Sequence, residues 1–255
     1  MLQLLRQLAA REISFRQAIL AVAHFVSPTR FRSGDDFNWK TYHLHYKEEL
    51  QSIAKTATLQ LSRTDFEIRS GALKFKEDVS LLPSHHLLYR IITQMAPASV
   101  LEVGCGGGDH LANLSVLLGD ACEIRGVDRS EDQLTLARKR NPGLVSKLEV
   151  ADITGKGNLP SSELVYSHAV LMHISEKDNR FQRALTNMLH SASKCVVLIE
   201  NWSQHDFMKH ISMAIRETGK DWVVGQATLS DTAKTTALVI SSRENLPSNV
   251  KVLES

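Results

Sequence analysis

Leu101-Glu-Val-Gly-Cys-Gly-Gly-Gly-Asp109 decides how the rest of the chain is read. Ser99 to Val103 is a short apolar strand that runs directly into three alternating glycines, Gly104, Gly106 and Gly108. So tight a turn needs positive backbone dihedrals and no Cβ, which lets a ligand approach the main chain. Asp109 is expected to cap a helix reaching about Leu118, whose first turn presents unpaired amides to the same space.

Outward from that turn the pattern alternates strand and helix. Ala121 to Val127 reads as a second strand ending in Asp128, and Ser130 to Arg140 as a second helix. Lys147 to Val150, Leu164 to Ser167 and Lys194 to Ile199 supply further strands, with helices near 177–190 and 204–218, and Thr235 to Ser242 is a last β-branched strand. His86 to Met95, closed by Pro97, is a helix leading into the first strand. Repeated βαβ units require right-handed crossovers and give a parallel sheet covered on both faces. We therefore expect one doubly wound α/β domain over residues 84–255. Residues 1–83 are expected to form a mostly helical N-terminal cap or lid. It contains an amphipathic helix over 1–26, an aromatic and basic strip over 29–46, a helical stretch over 47–61, and a short hairpin over 64–76 around Ser70-Gly71.

Ligands of open parallel sheets bind beyond the carboxyl ends of the strands, where the strand order reverses. Asp128 ends the second strand, where a carboxylate can accept both hydroxyls of a ribose. Asp152 follows the third, where it can accept an exocyclic amine of adenine beside Ile153. A dinucleotide fingerprint wants Gly or Ala where Asp109 stands. That acid is also an unwelcome neighbour for a pyrophosphate at a helix N-terminus. The glycines are not followed by Gly-Lys-Ser/Thr, which excludes a P-loop. A ligand with adenosine and no phosphate suits these surroundings, and S-adenosylmethionine is one.

In order, Leu101-Glu-Val-Gly-Cys-Gly-Gly-Gly108, Gly126-Val-Asp128 and Ala151-Asp-Ile153 resemble the first three motifs of class I S-adenosylmethionine-dependent methyltransferases. Tyr166-Ser-His-Ala-Val-Leu-Met-His-Ile174 resembles their fourth. The resemblance covers roughly 84–243 and implies a Rossmann-like, mainly parallel seven-stranded sheet with S-adenosyl-L-methionine as cofactor. The glycines then cradle its methionine moiety, Asp128 its ribose and Asp152 with Ile153 its adenine. Glu102, Cys105, Arg129 and His168, beside these motifs, complete the expected cofactor set. Val170 to Ile174, followed by Val197-Leu-Ile-Glu-Asn-Trp202, is similar to methyltransferases of bacterial surface-glycan and modified-sugar pathways.

Methyl transfer is an in-line displacement, so orientation is the main task, and a positioned base adds about 10²–10⁴-fold. His173 is one candidate base, since imidazole titrates near neutrality. Glu200 with His205 is a second, a pair suited to taking a proton from a sugar hydroxyl. Asn201 and Trp202 are candidate acceptor contacts, the indole by stacking on a sugar face. Tyr42 and Tyr46, in the aromatic strip, are candidates for the same acceptor. The chain lacks the Asn/Asp-Pro-Pro-Tyr of amino-nitrogen methylation and the Pro-Cys of pyrimidine C5 chemistry, and no metal cluster is visible. A hydroxyl of a small molecule or glycan is the expected acceptor.

Composition bounds the alternatives. With 30 Lys plus Arg against 28 Asp plus Glu, the net charge of +2 gives little case for nucleic acid. RNA methylation remains an alternative, supported by the basic strip alone. A non-catalytic scaffold that binds a partner protein is another, and the N-terminal segment is a candidate homodimer surface. Three scattered cysteines exclude a secreted disulfide framework, and no apolar run approaches 18 residues, so a cytoplasmic protein without a membrane span is expected.

Overall fold

The computed structural model describes residues 60–230 and 235–253. It also describes two isolated two-residue strands, β1 (Arg32–Ser33) and β2 (Asp36–Phe37), which pair antiparallel. The helices expected over 1–26 and 47–61, the strip over 29–46, and with them Tyr42 and Tyr46, lie essentially outside the described residues.

The hairpin expected around Ser70-Gly71 is present as β3 (Phe66–Arg69) and β4 (Ala72–Phe75), with both turn residues at positive φ. It lies against helix α1 (Pro83–Met95), where the Phe75 ring meets His86 edge-on at 5.2 Å. Leu61 and Leu73 sit in the same core as the main sheet. Proline at the start of α1 costs no hydrogen bond, and the helix ends at Ala96 in the left-handed region, one residue before Pro97.

The strand–helix alternation then runs β5 (Ser99–Val103), α2 (Asp109–Leu118), β6 (Glu123–Asp128), α3 (Glu131–Arg140), β7 (Leu148–Val150), β8 (Ser162–His168), α4 (Arg180–Ser191), β9 (Ala192–Ile199) and α5 (Phe207–Thr218). It ends with β10 (Val223–Thr228), β11 (Thr236–Ser241) and β12 (Lys251–Val252). The sheet order is β12-β10-β11-β9-β8-β5-β6-β7. The five strands from β7 to β9 are parallel, β11 is antiparallel to both of its neighbours, and β12 closes the edge antiparallel to β10.

This is the expected doubly wound, mainly parallel sheet, with eight strands in place of seven. The extra strand forms because the chain after β11 folds back along β10. There Gly225 leaves room for Val250, which a Cβ would overlap. Strand β10 itself, Val-Val-Gly-Gln-Ala-Thr, escaped the sequence reading because glycine and glutamine interrupt its β-branched run.

Period-two alternation splits the central strands between two cores. From β8, Leu164 and Tyr166 face one side, with α1 and α2; Val165 faces the other, with α4 and α5. From β9, Cys195, Val197 and Ile199 take the first side and Val196 and Leu198 the second. Helix α3 has Ser130 as its N-cap, acids in its first turn and three cations in its last, all aligned with the helix dipole. In α2 the cap is Gly108, with Asp109 at the first helical position. The Asp109 carboxylate meets Arg140 at 2.5 Å, so it ties α2 to α3 and does not cap its own helix.

Candidate functional site

Strands β5 to β9 deliver their carboxyl ends to one edge of the sheet, and the order reverses between β5 and β8. At that reversal lies a cleft open to solvent. Gly104 and Gly106 form one wall, Asp128 and Arg129 a second, Asp152 and Ile153 a third, and His168 to Ile174 the remaining side.

The backbone explains the glycines. The amides of Gly104 and Cys105 both donate to the Val127 carbonyl, which folds the loop over the end of β6. Gly104 has φ 71°, and a Cβ there would lie 2.5 Å from a Val170 methyl. At Gly106, φ 49°, the nearest atom to a Cβ is 3.8 Å away, so the loop leaves open space in front of its backbone.

Asp128 holds this loop while lining the cleft. One carboxylate oxygen accepts the Gly106 amide at 3.0 Å and the other the Ser130 amide at 2.8 Å. Burial pushes its carboxyl above the usual aspartate range, while those amides work in the opposite direction. At Asp152 burial also raises, but the Thr154 amide and hydroxyl, both at 2.8 Å, with the charges of Arg129 and Arg180, more than offset it and leave the group lowered.

The other expected cofactor residues divide. Arg129, Ile153 and His168 line the cleft. Glu102 and Cys105 lie beneath the loop in the packed interior, with Glu102 3% exposed. Burial drives the Glu102 carboxyl well above its ordinary range and keeps the Cys105 thiol protonated.

Of the candidate bases, His173 lines the cofactor cleft in a single 3-10 turn over Leu171–His173. Glu200 lies at the end of β9 and serves that turn from behind. Its carboxylate accepts the Ser167 hydroxyl at 2.8 Å and the amides of Val170 and Met172 at 3.2 and 3.3 Å. Burial raises its carboxyl to about 7 against those hydrogen bonds. His205 pairs with Glu176 at 3.0 Å and stacks on Phe181 at 4.2 Å, so the expected Glu200–His205 dyad is not assembled.

A second cavity adjoins the first and shares His168 and Ala169 with it. Asn201 and Trp202 line it as expected, and Glu200 forms part of its floor. Ser84, Thr235 and Thr236 join from segments the sequence reading did not connect to the site. Only the return of β11 beside β9 brings the two threonines there, and no local spacing records that pairing.

The residues present fit S-adenosylmethionine. Gly104 and Gly106 line the cleft with bare backbone, two carboxylates face it beside apolar walls at Ile153, Val170 and Ile174, and Asp109 occupies the helix start where a phosphate would sit. Residues 96–240 match the family model described as a methyltransferase domain. Two relatives are trans-aconitate 2-methyltransferases. The one from Rhodopseudomonas palustris (strain BisA53) is 28% identical over 63% of this chain and 60% of its own length. The one from Acidovorax sp. (strain JS42) is 26% identical over 51% of this chain and 50% of its own. The chain thus spans about half to three fifths of those relatives. A TehB-like SAM-dependent methyltransferase from Corynebacterium glutamicum superposes with a TM-score of 0.54 at 15% identity, covering 80% of this chain and all of that one. The match covers more than half of the chain, and the chain belongs to the methyltransferase domain family as an S-adenosylmethionine-dependent member.

Proposed function

We propose that the protein methylates a hydroxyl of a small-molecule or glycan acceptor, held in the cavity bounded by His168, Asn201 and Trp202. The carrying observation is that this cavity shares His168 and Ala169 with the cofactor cleft, so an acceptor in one reaches a group held in the other. Among the described residues lining it there is no Lys or Arg; one amide, three hydroxyls, an indole, the His168 ring and the Glu200 carboxyl supply its polar groups. Such a lining suits a polyol better than a polycarboxylate, because buried carboxylates need cationic partners. Tyr42 and Tyr46, in the segment read as a cap over 1–83, are assigned to the same acceptor.

S-adenosylmethionine supplies an electrophilic methyl group on a sulfonium when bound. Asp128 and Asp152 hold the nucleoside end, and the glycine turn gives its backbone to the amino-acid end. The Glu200 carboxylate fixes the turn that carries Met172 and His173, which orients the wall between the cavities. His173 is the base candidate that faces the cleft, while Glu200 acts as a positioning residue. Three free, buried cysteines support a reducing, cytoplasmic setting. Among the described residues no helix is long and apolar enough to cross a membrane.

The test is transfer of a radiolabelled methyl group to a panel of sugars, nucleotide sugars and trans-aconitate, followed by mild alkali. An ether from a hydroxyl acceptor keeps its label. Label that is released by alkali, or found on nitrogen, overturns the reading.

A further inference from the structure

Three imidazoles from three separate elements meet beside the shared wall of the two cavities. His85 lies in the first turn of α1, His110 in the first turn of α2, and His168 at the end of β8. One nitrogen from each lies within 4.8 Å of the others. The rings meet edge-on or tilted, with centroids 4.6 Å apart for His85 and His110, 5.3 Å for His85 and His168, and 4.8 Å for His110 and His168.

Packing alone does not account for this group. Nδ1 of His85 and Nε2 of His168 are buried without a hydrogen-bond partner, and the His85 residue is 5% exposed. A buried polar atom without a partner calls for one, and an ion is among the partners such atoms take. His110 differs, because its Nδ1 is 2.9 Å from the Tyr89 hydroxyl, which accepts a further hydrogen bond from Asn113 at 2.9 Å. That contact leaves Nε2 of His110 for another partner. A ring nitrogen held from behind while the other faces a common point is the usual outer-shell support of a metal-ligating histidine.

We propose that His85, His110 and His168 form a binding site for a divalent transition-metal ion of the zinc and cobalt kind. Zn–N bonds of 2.0–2.1 Å place tetrahedral ligand nitrogens about 3.3 Å apart, so each ring has to move inward by less than ~1 Å. An all-nitrogen ligand set suits zinc, cobalt, nickel or copper, and disfavours the hard cations magnesium and calcium, which take oxygen. Three protein ligands with a free fourth position is the pattern of a reactive zinc site and not of a purely structural one. His168 lines both cavities, while His85 and His110 stand behind it in the wall. The metal site does not rest on the oxygen-acceptor reading.

Untagged full-length protein, stripped with a chelator and dialysed, is titrated with Co²⁺ while its visible absorption is recorded. The expected result is one cobalt per chain, with the intense bands of four- or five-coordinate cobalt, displaced by Zn²⁺. His85→Ala and His168→Ala are each expected to weaken cobalt binding by at least ~30-fold, and Tyr89→Phe by ~10-fold. X-ray absorption of the zinc-loaded wild type needs no variant to fold, and should show three nitrogens near 2.0–2.1 Å. A wild type without stoichiometric cobalt binding, a zinc shell without imidazole, or cobalt affinity unchanged in folded His85→Ala and His168→Ala overturns the site. S-adenosylhomocysteine calorimetry on the same preparations tests the cofactor reading separately. Cobalt binding without homocysteine-nucleoside binding sinks that reading and leaves the metal site standing.

Discussion

The two halves of the sheet, on either side of the β5–β8 junction, use their carboxylates in opposite ways. On the cofactor side Asp128 and Asp152 line the cleft and accept amides two residues ahead, from Ser130 and Thr154. On the acceptor side Glu200 accepts from Ser167, Val170 and Met172, some thirty residues away in sequence. In the first half the carboxylates stay in the cleft while also bracing loops, Asp128 reaching across to the Gly106 amide. In the second half the carboxylate spends its acceptors on the turn between the two cavities. The first half should therefore fail by losing cofactor, and the second by losing control of the acceptor.

The hardest test of that contrast is Gly104→Val. Left-handed backbone costs a side-chain residue roughly 1–2 kcal/mol, and the overlap with Val170 about 1–3 more. S-adenosylhomocysteine affinity measured by calorimetry should fall at least ~30-fold. Adding Val170→Ala should recover part of that loss, since it relieves the overlap and not the dihedral. Full affinity in the single variant would remove the turn from the cofactor site.

Asp128→Asn comes next. It trades a charged acceptor for a neutral one against the Gly106 and Ser130 amides, at about 1.5–3 kcal/mol, or ten- to a hundredfold in cofactor affinity. Equal losses from Asp128→Asn and Glu200→Gln would erase the contrast between the halves.

Glu200→Gln should instead lower kcat/KM for the acceptor by about tenfold and leave cofactor affinity within about threefold. It also carries a pH signature. Its carboxyl is raised from 4.5 to about 7 on folding, so the folded state holds this proton more tightly than the unfolded chain. The associated stability is complete below about 4.5 and is lost as pH rises through 7, by on the order of 3 kcal/mol. Asp128 and Glu102 shift in the same direction, so comparison with the variant isolates Glu200. Urea unfolding from pH 5 to 8 should show a steeper decline for wild type than for Glu200→Gln, and parallel profiles would contradict the buried carboxyl.

The smallest effect is expected at His205→Ala. Its pairing with a half-exposed Glu176 contributes at most about 1 kcal/mol, and turnover should stay within about twofold. A larger loss of turnover would return His205 to the chemistry.

The same contrast explains what the sequence discloses. The glycine turn, Asp128, Asp152 with Ile153, and the hairpin at Ser70-Gly71 were legible because each is a short run of characteristic residues at a strand end or turn, even where its hydrogen bonds reach another loop. Glu200 reads as a base because its partners are on another strand. His85, His110 and His168 give no spacing signal at all, being separated by 25 and 58 residues and joined only by packing. Strand β10 was missed because its place between β11 and β12, and not its own composition, makes it a strand.

Cys105 sits within the glycine turn itself, yet it is buried and stays a thiol. Electrophilic compounds that hunt for thiolates near nucleotide pockets will pass over it. A selective inhibitor of this protein has to gain its grip from shape beside Trp202, and not from a covalent bond to sulfur.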